Sequence, residues 1–219
     1  MSLFVARTEY SRAELVSDAV VHLAALLAAL VAVPVLITLA AVWHGNAGTL
    51  TAVSVYGATL VAMIFCSLLY NHLPRPDWRD WLRRLDHSAI YLKIAGTYTP
   101  FAVLTGAGTG LLAGLWGAAV AGTGYAMLRG GRSAGVGILL CLGMGWAVLF
   151  GGGDILAQLP APVTALMIAG GILYTMGTLF LVAGGMKFHN TIWHVFVMSA
   201  SLVFFIAIMM QMVHSAPGT

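Results

Sequence analysis

Apolar residues run through this chain in long blocks, with short polar stretches between them. The blocks cover roughly residues 20–42, 49–72, 86–105, 109–128, 133–151, 163–185 and 191–213. Each is about the 20 residues that a helix needs to cross a bilayer. The runs are continuous rather than alternating, which argues against a β-barrel. The pattern therefore predicts an all-α, polytopic membrane protein with seven transmembrane helices. Ser11-Arg12-Ala13-Glu14 has the S-x-x-E form of a capping box, so a helix is expected to begin there. Pro160 and Pro162 precede the sixth block, Gly151-Gly152-Gly153-Asp154 closes the fifth, and Gly110-x-x-x-Gly114 in the fourth is a small-residue packing signal.

Composition sharpens this picture. Of 219 residues, 60% are hydrophobic and 8% charged, against roughly 25% charged in a soluble domain. Nothing is left over for a soluble domain, and no cleavable signal peptide is expected. Ten Lys and Arg cannot both set topology and build a phosphate-binding face, so nucleic acid is excluded as a partner. Cys66 and Cys141 lie inside apolar runs and read as small buried hydrophobes.

Charge placement orients the chain. Arg7 and Arg12 precede the first span. Arg75, Arg79, Arg83 and Arg84 follow the second, Arg129 and Arg132 the fourth, and Lys187 the sixth. The other connectors and the C-terminal tail carry no Lys or Arg. By the positive-inside rule, residues 1–19 form a cytoplasmic segment, 20–213 the seven-helix transmembrane domain, and 214–219 a short external tail.

With that orientation, Asp18 and His22, Ser67, Asn71 and His72, Asp86 and His87, and His189, Asn190 and His194 all fall at the cytoplasmic level, on four helices. Ionisable groups at such positions are functional candidates by default. Residues four apart share a helical face, which pairs Asp18 with His22, Ser67 with Asn71, and Asn190 with His194. Asp86, Lys93 and Thr97 form a stripe on the third span. A polar network of Asp18, His22, Ser67, Asn71, Asp86, Lys93, Asn190 and His194 is the candidate site. His72 and His189 lie about 100° from their neighbours and are expected to face headgroups. Lys93 is expected either to snorkel or to pair with Asp86.

The motifs at these positions resemble those of the hemolysin III proteins, the bacterial branch of the progestin and adipoQ receptor superfamily. They are Asp18-x-x-x-His22, Ser67-x-x-Tyr70, Leu85-Asp86-His87-Ser88-Ala89-Ile90, Ile94-Ala95-Gly96-Thr97-Tyr98-Thr99-Pro100-Phe101 and Ile192-Trp193-His194-x-Phe196-Val197. The resemblance covers nearly the whole chain. It implies seven helices in the bacterial inner membrane and a site on the cytoplasmic side. It further implies a zinc ion on three His, with an Asp orienting water. Carried over, Ser67, Asp86 and His194 match, while two ligand positions fall on Asn71 and Asn190. Asn is a poor zinc ligand, so the expected metal ligand is His194 alone, and a metal-free hydrogen-bonded network stands beside zinc.

Three functions follow from the resemblance. One is a pore-forming, cytolytic protein or one acting in membrane-lipid homeostasis. Another is a ceramidase-like, metal-dependent hydrolase of a lipid amide or ester, with Asp86 and Ser67 as catalytic residues. The third is a lipid-sensing receptor. Membrane lipids are the expected partners, and no protein partner is assigned.

Overall fold

The computed structural model describes residues 10–129 and 134–217. Arg7, Arg132, residue 133 at the expected start of the fifth span, and parts of the two terminal segments lie outside the described residues. The rest is helical, with no strand among the described residues. Helix α1 is Arg12–His44, α2 Ala47–His72, α3 Arg79–Thr105 and α4 Thr109–Arg129. Helix α5, Ala134–Trp146, is followed by two short turns, α6 (Val148–Gly151) and α7 (Gly153–Leu156). Helix α8 is Ala161–Val182 and α9 is His189–His214. Helices α1, α2, α4, α8 and α9 are long and apolar enough to cross a membrane. Their outward faces expose large aliphatic side chains, such as Val31 at 69% and Val120 at 65%. In a bilayer those faces meet lipid.

Local chemistry sets the boundaries. The Ser11 capping box forms: Ser11 Oγ accepts from the Glu14 N–H, and Glu14 accepts from the Ser11 N–H. Asn46 caps α2 by accepting from the Thr49 N–H at 2.9 Å. Gly45 and Gly106 end α1 and α3 at φ 63° and 65°, a conformation that costs a glycine little. Helix α3 begins at Arg79, seven residues ahead of the expected apolar start. The charged residues 79–86 repeat with helical period on an exposed first turn, so hydropathy alone placed the boundary too late. The fifth block is not one helix. It breaks at Ala147 and again at Gly152, whose missing Cβ leaves room for Val148.

Two glycines set the close approach of the helices that carry the site. A Cβ on Gly57 would meet Val33 Cγ1 of α1 at 2.3 Å, and one on Gly96 would meet Thr59 Oγ1 of α2 at 2.2 Å. Gly96→Leu is therefore expected to push α3 from α2 and lower the melting temperature in detergent by several degrees. Gly110→Leu, where nothing lies within 4 Å of the added Cβ, is the control, and equal melting temperatures for the two variants would refute this packing account.

One end of the bundle is solid. Leu36, Tyr56, Phe101, Ile208 and Met212 are fully buried there, drawn from α1, α2, α3 and α9. The other end is hollow.

Candidate functional site at the head of an intramembrane cavity

The hollow end holds a cavity of about 1030 Å³. Arg75 and Arg79 stand at its head, and Tyr98, Trp146 and Phe204 line its depth. Beyond those residues the fully buried cluster closes the bundle.

At the head of the cavity the polar residues of α1, α2, α3 and α9 meet. Asp18 is the centre. Its Oδ1 accepts from His194 Nδ1 at 2.6 Å and its Oδ2 from His72 Nε2 at 2.9 Å. His22, wholly buried one turn along α1, places Nδ1 2.9 Å from the Asp18 carbonyl. A carbonyl only accepts, so Nδ1 carries the proton and Nε2 points its lone pair away. His194 Nδ1 likewise donates to a carboxylate, which leaves its Nε2 as an acceptor. Both Nε2 atoms converge on Ser67 Oγ, His22 at 3.1 Å and His194 at 3.4 Å. Ser67 has one hydroxyl proton and cannot satisfy both. Two buried acceptors sharing one donor form a place for a cation.

The two asparagines lie beside this centre. Asn71 donates to the Ser67 carbonyl at 2.9 Å, and Asn190 donates to Asn71 Oδ1 at 3.2 Å. Asp86 lines the cavity, with His87, His194, Ser67 and Asp18 as its electrostatic neighbours. Lys93 is bonded elsewhere: its Nζ donates to Tyr174 OH, and no ion pair joins it to Asp86.

Two histidines expected to face headgroups do otherwise. His72 does point about 100° away from Asn71, but that direction holds α1 and Asp18 rather than lipid. His189 is 5% exposed, bonded to Tyr10 OH and facing the Phe180 carbonyl. Sequence periodicity gave the direction of each ring and not what stood there.

Asp18, His22 and His194 each offer a ligand atom, all within 4.8 Å of one another, and all three are buried. Two imidazoles, one of them backed by a carboxylate, match the donors and orienting partner of metal-binding histidine sites. The bond from His22 Nδ1 to a carbonyl and that from His194 Nδ1 to Asp18 are of the kind that fix the tautomer and aim of metal-binding histidines. The residues present thus fit a metal such as zinc. The ligand set differs from that carried over by resemblance, because α1 supplies His22. The Asp18-x-x-x-His22 spacing was visible in the sequence, but nothing there said that its face met His194.

Comparison with known proteins now places the chain. The family model described as Haemolysin-III related matches residues 12–205. This chain belongs to the haemolysin III family. Among curated proteins, it is 33% identical to "Hemolysin-3" of Bacillus cereus over 193 residues, 86% of this chain and 88% of that one. It is 32% identical to a "Hemolysin-3 homolog" of Bacillus subtilis over 199 residues, 90% of this chain and 93% of that one. No solved structure gives a significant match. The matched region of this haemolysin III family member spans every residue of the polar centre, and the chain is a multi-pass protein of the cell membrane.

Proposed function

We propose that this haemolysin III family member is a membrane-embedded hydrolase of a lipid amide or ester. The observation that carries the reading is the convergence of His22 Nε2 and His194 Nε2 on Ser67, beside Asp18, at the head of a cavity large enough for an amphiphile. His22 and His194 would hold the metal through Nε2, and Asp18, bonded to His194 Nδ1 on the other side of that ring, would fix its aim. Zinc at such a site polarises a carbonyl and activates water. Ser67, freed from its histidines, would donate a hydrogen bond to the oxygen that gains charge during attack. Asp86, beside Ser67 on the cavity wall, would accept the proton of the attacking water. Asn71 and Asn190 would hold Ser67 in place and orient the substrate's polar group.

In the same reading the chain crosses the membrane seven times, with the N-terminus cytoplasmic and the C-terminus outside. Helix α3, at 27 residues, is about 40 Å long, enough to span despite its charged first turns. The nine Lys and Arg outside the spans would then all be cytoplasmic, and so would the mouth of the cavity. A cytolytic role comes to this chain only through its relatives' name. The closed far end of the bundle supports a binding cavity over an open pore.

Elemental analysis of protein purified without chelators, with hydrolysis of a fluorogenic N-acyl sphingosine and acyl esters, tests the proposal. About one zinc per chain is expected, lost in His22→Ala and His194→Ala and kept in Asn71→Ala. Cleavage of one substrate class should fall at least 100-fold in Asp86→Asn, the range of a lost general base. Failure to retain zinc even after reconstitution, or cleavage unaffected by Asp86→Asn, would sink the reading.

A further inference from the structure

Seven residues along α3 from Asp86, about 10 Å deeper, lies a second polar group that the hydrolytic reading does not use. Lys93 is 2% exposed and lines the cavity. Its Nζ donates to Tyr174 OH and sits 4.4 Å from the Tyr174 ring centroid and 5.4 Å from that of Phe204. Ring faces stabilise a cation, but they do not neutralise it. The ion pairs among the described residues join Asp18 to histidines and Arg83 to Asp80, and none reaches Lys93. An ammonium has three N–H donors. One goes to Tyr174, and the other two have no protein acceptor among the described hydrogen bonds. Tyr174 OH also bonds Ser201 Oγ at 2.7 Å. With Ser201 donating, the Tyr174 hydroxyl proton is left to face the cavity.

A buried charge at mid-membrane depth is costly and calls for a counter-ion. This one has two unused donors and open space beside it. The geometry points to an anion subsite at Lys93 and Tyr174 that takes a single carboxylate. One ammonium balances one negative charge. The two remaining N–H groups and the Tyr174 hydroxyl can reach both carboxylate oxygens. The carboxylate could belong to a long-chain fatty acid from the membrane or to a short-chain acid from the aqueous phase, and size separates the two. The subsite stands whether or not the polar centre hydrolyses anything.

The test is equilibrium binding to the full chain in phosphatidylcholine nanodiscs, with radiolabelled oleate and butyrate as probes and oleyl alcohol as a neutral competitor. Saturable oleate binding is expected, weakened at least about 10-fold by Lys93→Met and by a smaller factor in Tyr174→Phe. Oleyl alcohol should compete far less well than oleate. Butyrate binding as tightly as oleate, with the same dependence on Lys93, would assign the aqueous source. His194→Ala should abolish hydrolysis and leave oleate binding intact, which separates this subsite from the hydrolase reading. No saturable binding of either probe, equal competition by oleyl alcohol, or an unchanged affinity in Lys93→Met overturns the proposal. If Lys93→Met does not fold, Tyr174→Phe and Ser201→Ala carry the test, and unchanged oleate affinity in both overturns it.

Discussion

Asp18→Ala is expected to destabilise the protein more than removal of any other carboxylate in it. Asp18 is 3% exposed and accepts from two histidines on two other helices. Truncation strands His194 Nδ1–H and His72 Nε2–H inside the bundle. Each stranded buried donor costs about 1–3 kcal/mol, so the pair should cost about 2–6 kcal/mol. The loss also frees the His194 ring to rotate, which would take Nε2 off Ser67. Thermal melting in detergent reads the first effect, and zinc content the second. Asp80, whose side chain is 80% exposed beside Arg83, is the control, because exposed ion pairs contribute about 0–1 kcal/mol. Asp86→Ala should fall between them, since Asp86 is buried at the cavity wall with Ser67 as its hydrogen-bonding neighbour in place of two histidines. A melting temperature for Asp18→Ala within a degree of that for Asp80→Ala would mean that the four-helix polar centre is not formed.

Glu14→Ala is expected to be the second largest loss. Glu14 looks from the sequence like a helix cap and nothing more. In the fold its Oε2 accepts from Ser11 N at 2.9 Å and from Ser11 Oγ at 2.8 Å, and its Oε1 accepts from the Phe188 N–H at 2.9 Å. Phe188 opens α9 in the left-handed region, at φ 59°, a conformation uncommon for a bulky residue. Next to it, Ser17 Oγ and Thr191 Oγ1 lie 3.0 Å apart. One carboxylate thus caps the start of α1 and holds the start of α9 against it. Those two helices carry Asp18 and His22 on one side and His194 on the other. Loss of the capping box alone costs about 0.5–2 kcal/mol. Adding the stranded Phe188 N–H, at about 1–3 kcal/mol, brings the total to about 1.5–5 kcal/mol. The expected result is a lower melting temperature together with weaker metal retention, because the Asp18–His194 contact depends on the α1–α9 register. Glu14→Gln keeps one acceptor oxygen and should show part of the effect. If Glu14→Ala melts like Asp154→Ala, an exposed acidic residue at the closed end, the clasp does not hold the helices.

The sequence by itself determined the class, the family and the inventory of the site. Runs of about 20 apolar residues can be satisfied only as helices in a bilayer, so the all-α fold followed from length and hydropathy. The capping box at Ser11 and Glu14 is local chemistry, legible without neighbours. The grouping of Asp18, Ser67, Asp86 and His194 at one end of the bundle also followed, because a residue's place along a long helix sets its level among antiparallel neighbours. What the tertiary structure decided is which faces meet. Helical period gives an angle about one helix axis and says nothing of the rotation of the next. His72 was read as turned away from the site because it lies off the Asn71 face, yet α1 occupies that side and supplies Asp18. Asp18 and His22 belong to the expected network as a pair on one face of α1, and the packing of that face between α2 and α9 makes Asp18 its centre. Lys93 was placed at the right depth and given the wrong choice of partners, lipid headgroups or Asp86. Tyr174 and Ser201 lie on α8 and α9, more than 80 residues away, and no periodicity links them to α3. The cavity itself is a property of packing. It exists because four helices close on Leu36, Tyr56, Phe101 and Met212 at one end and stay apart at the other, and no single helix carries that difference in its own sequence.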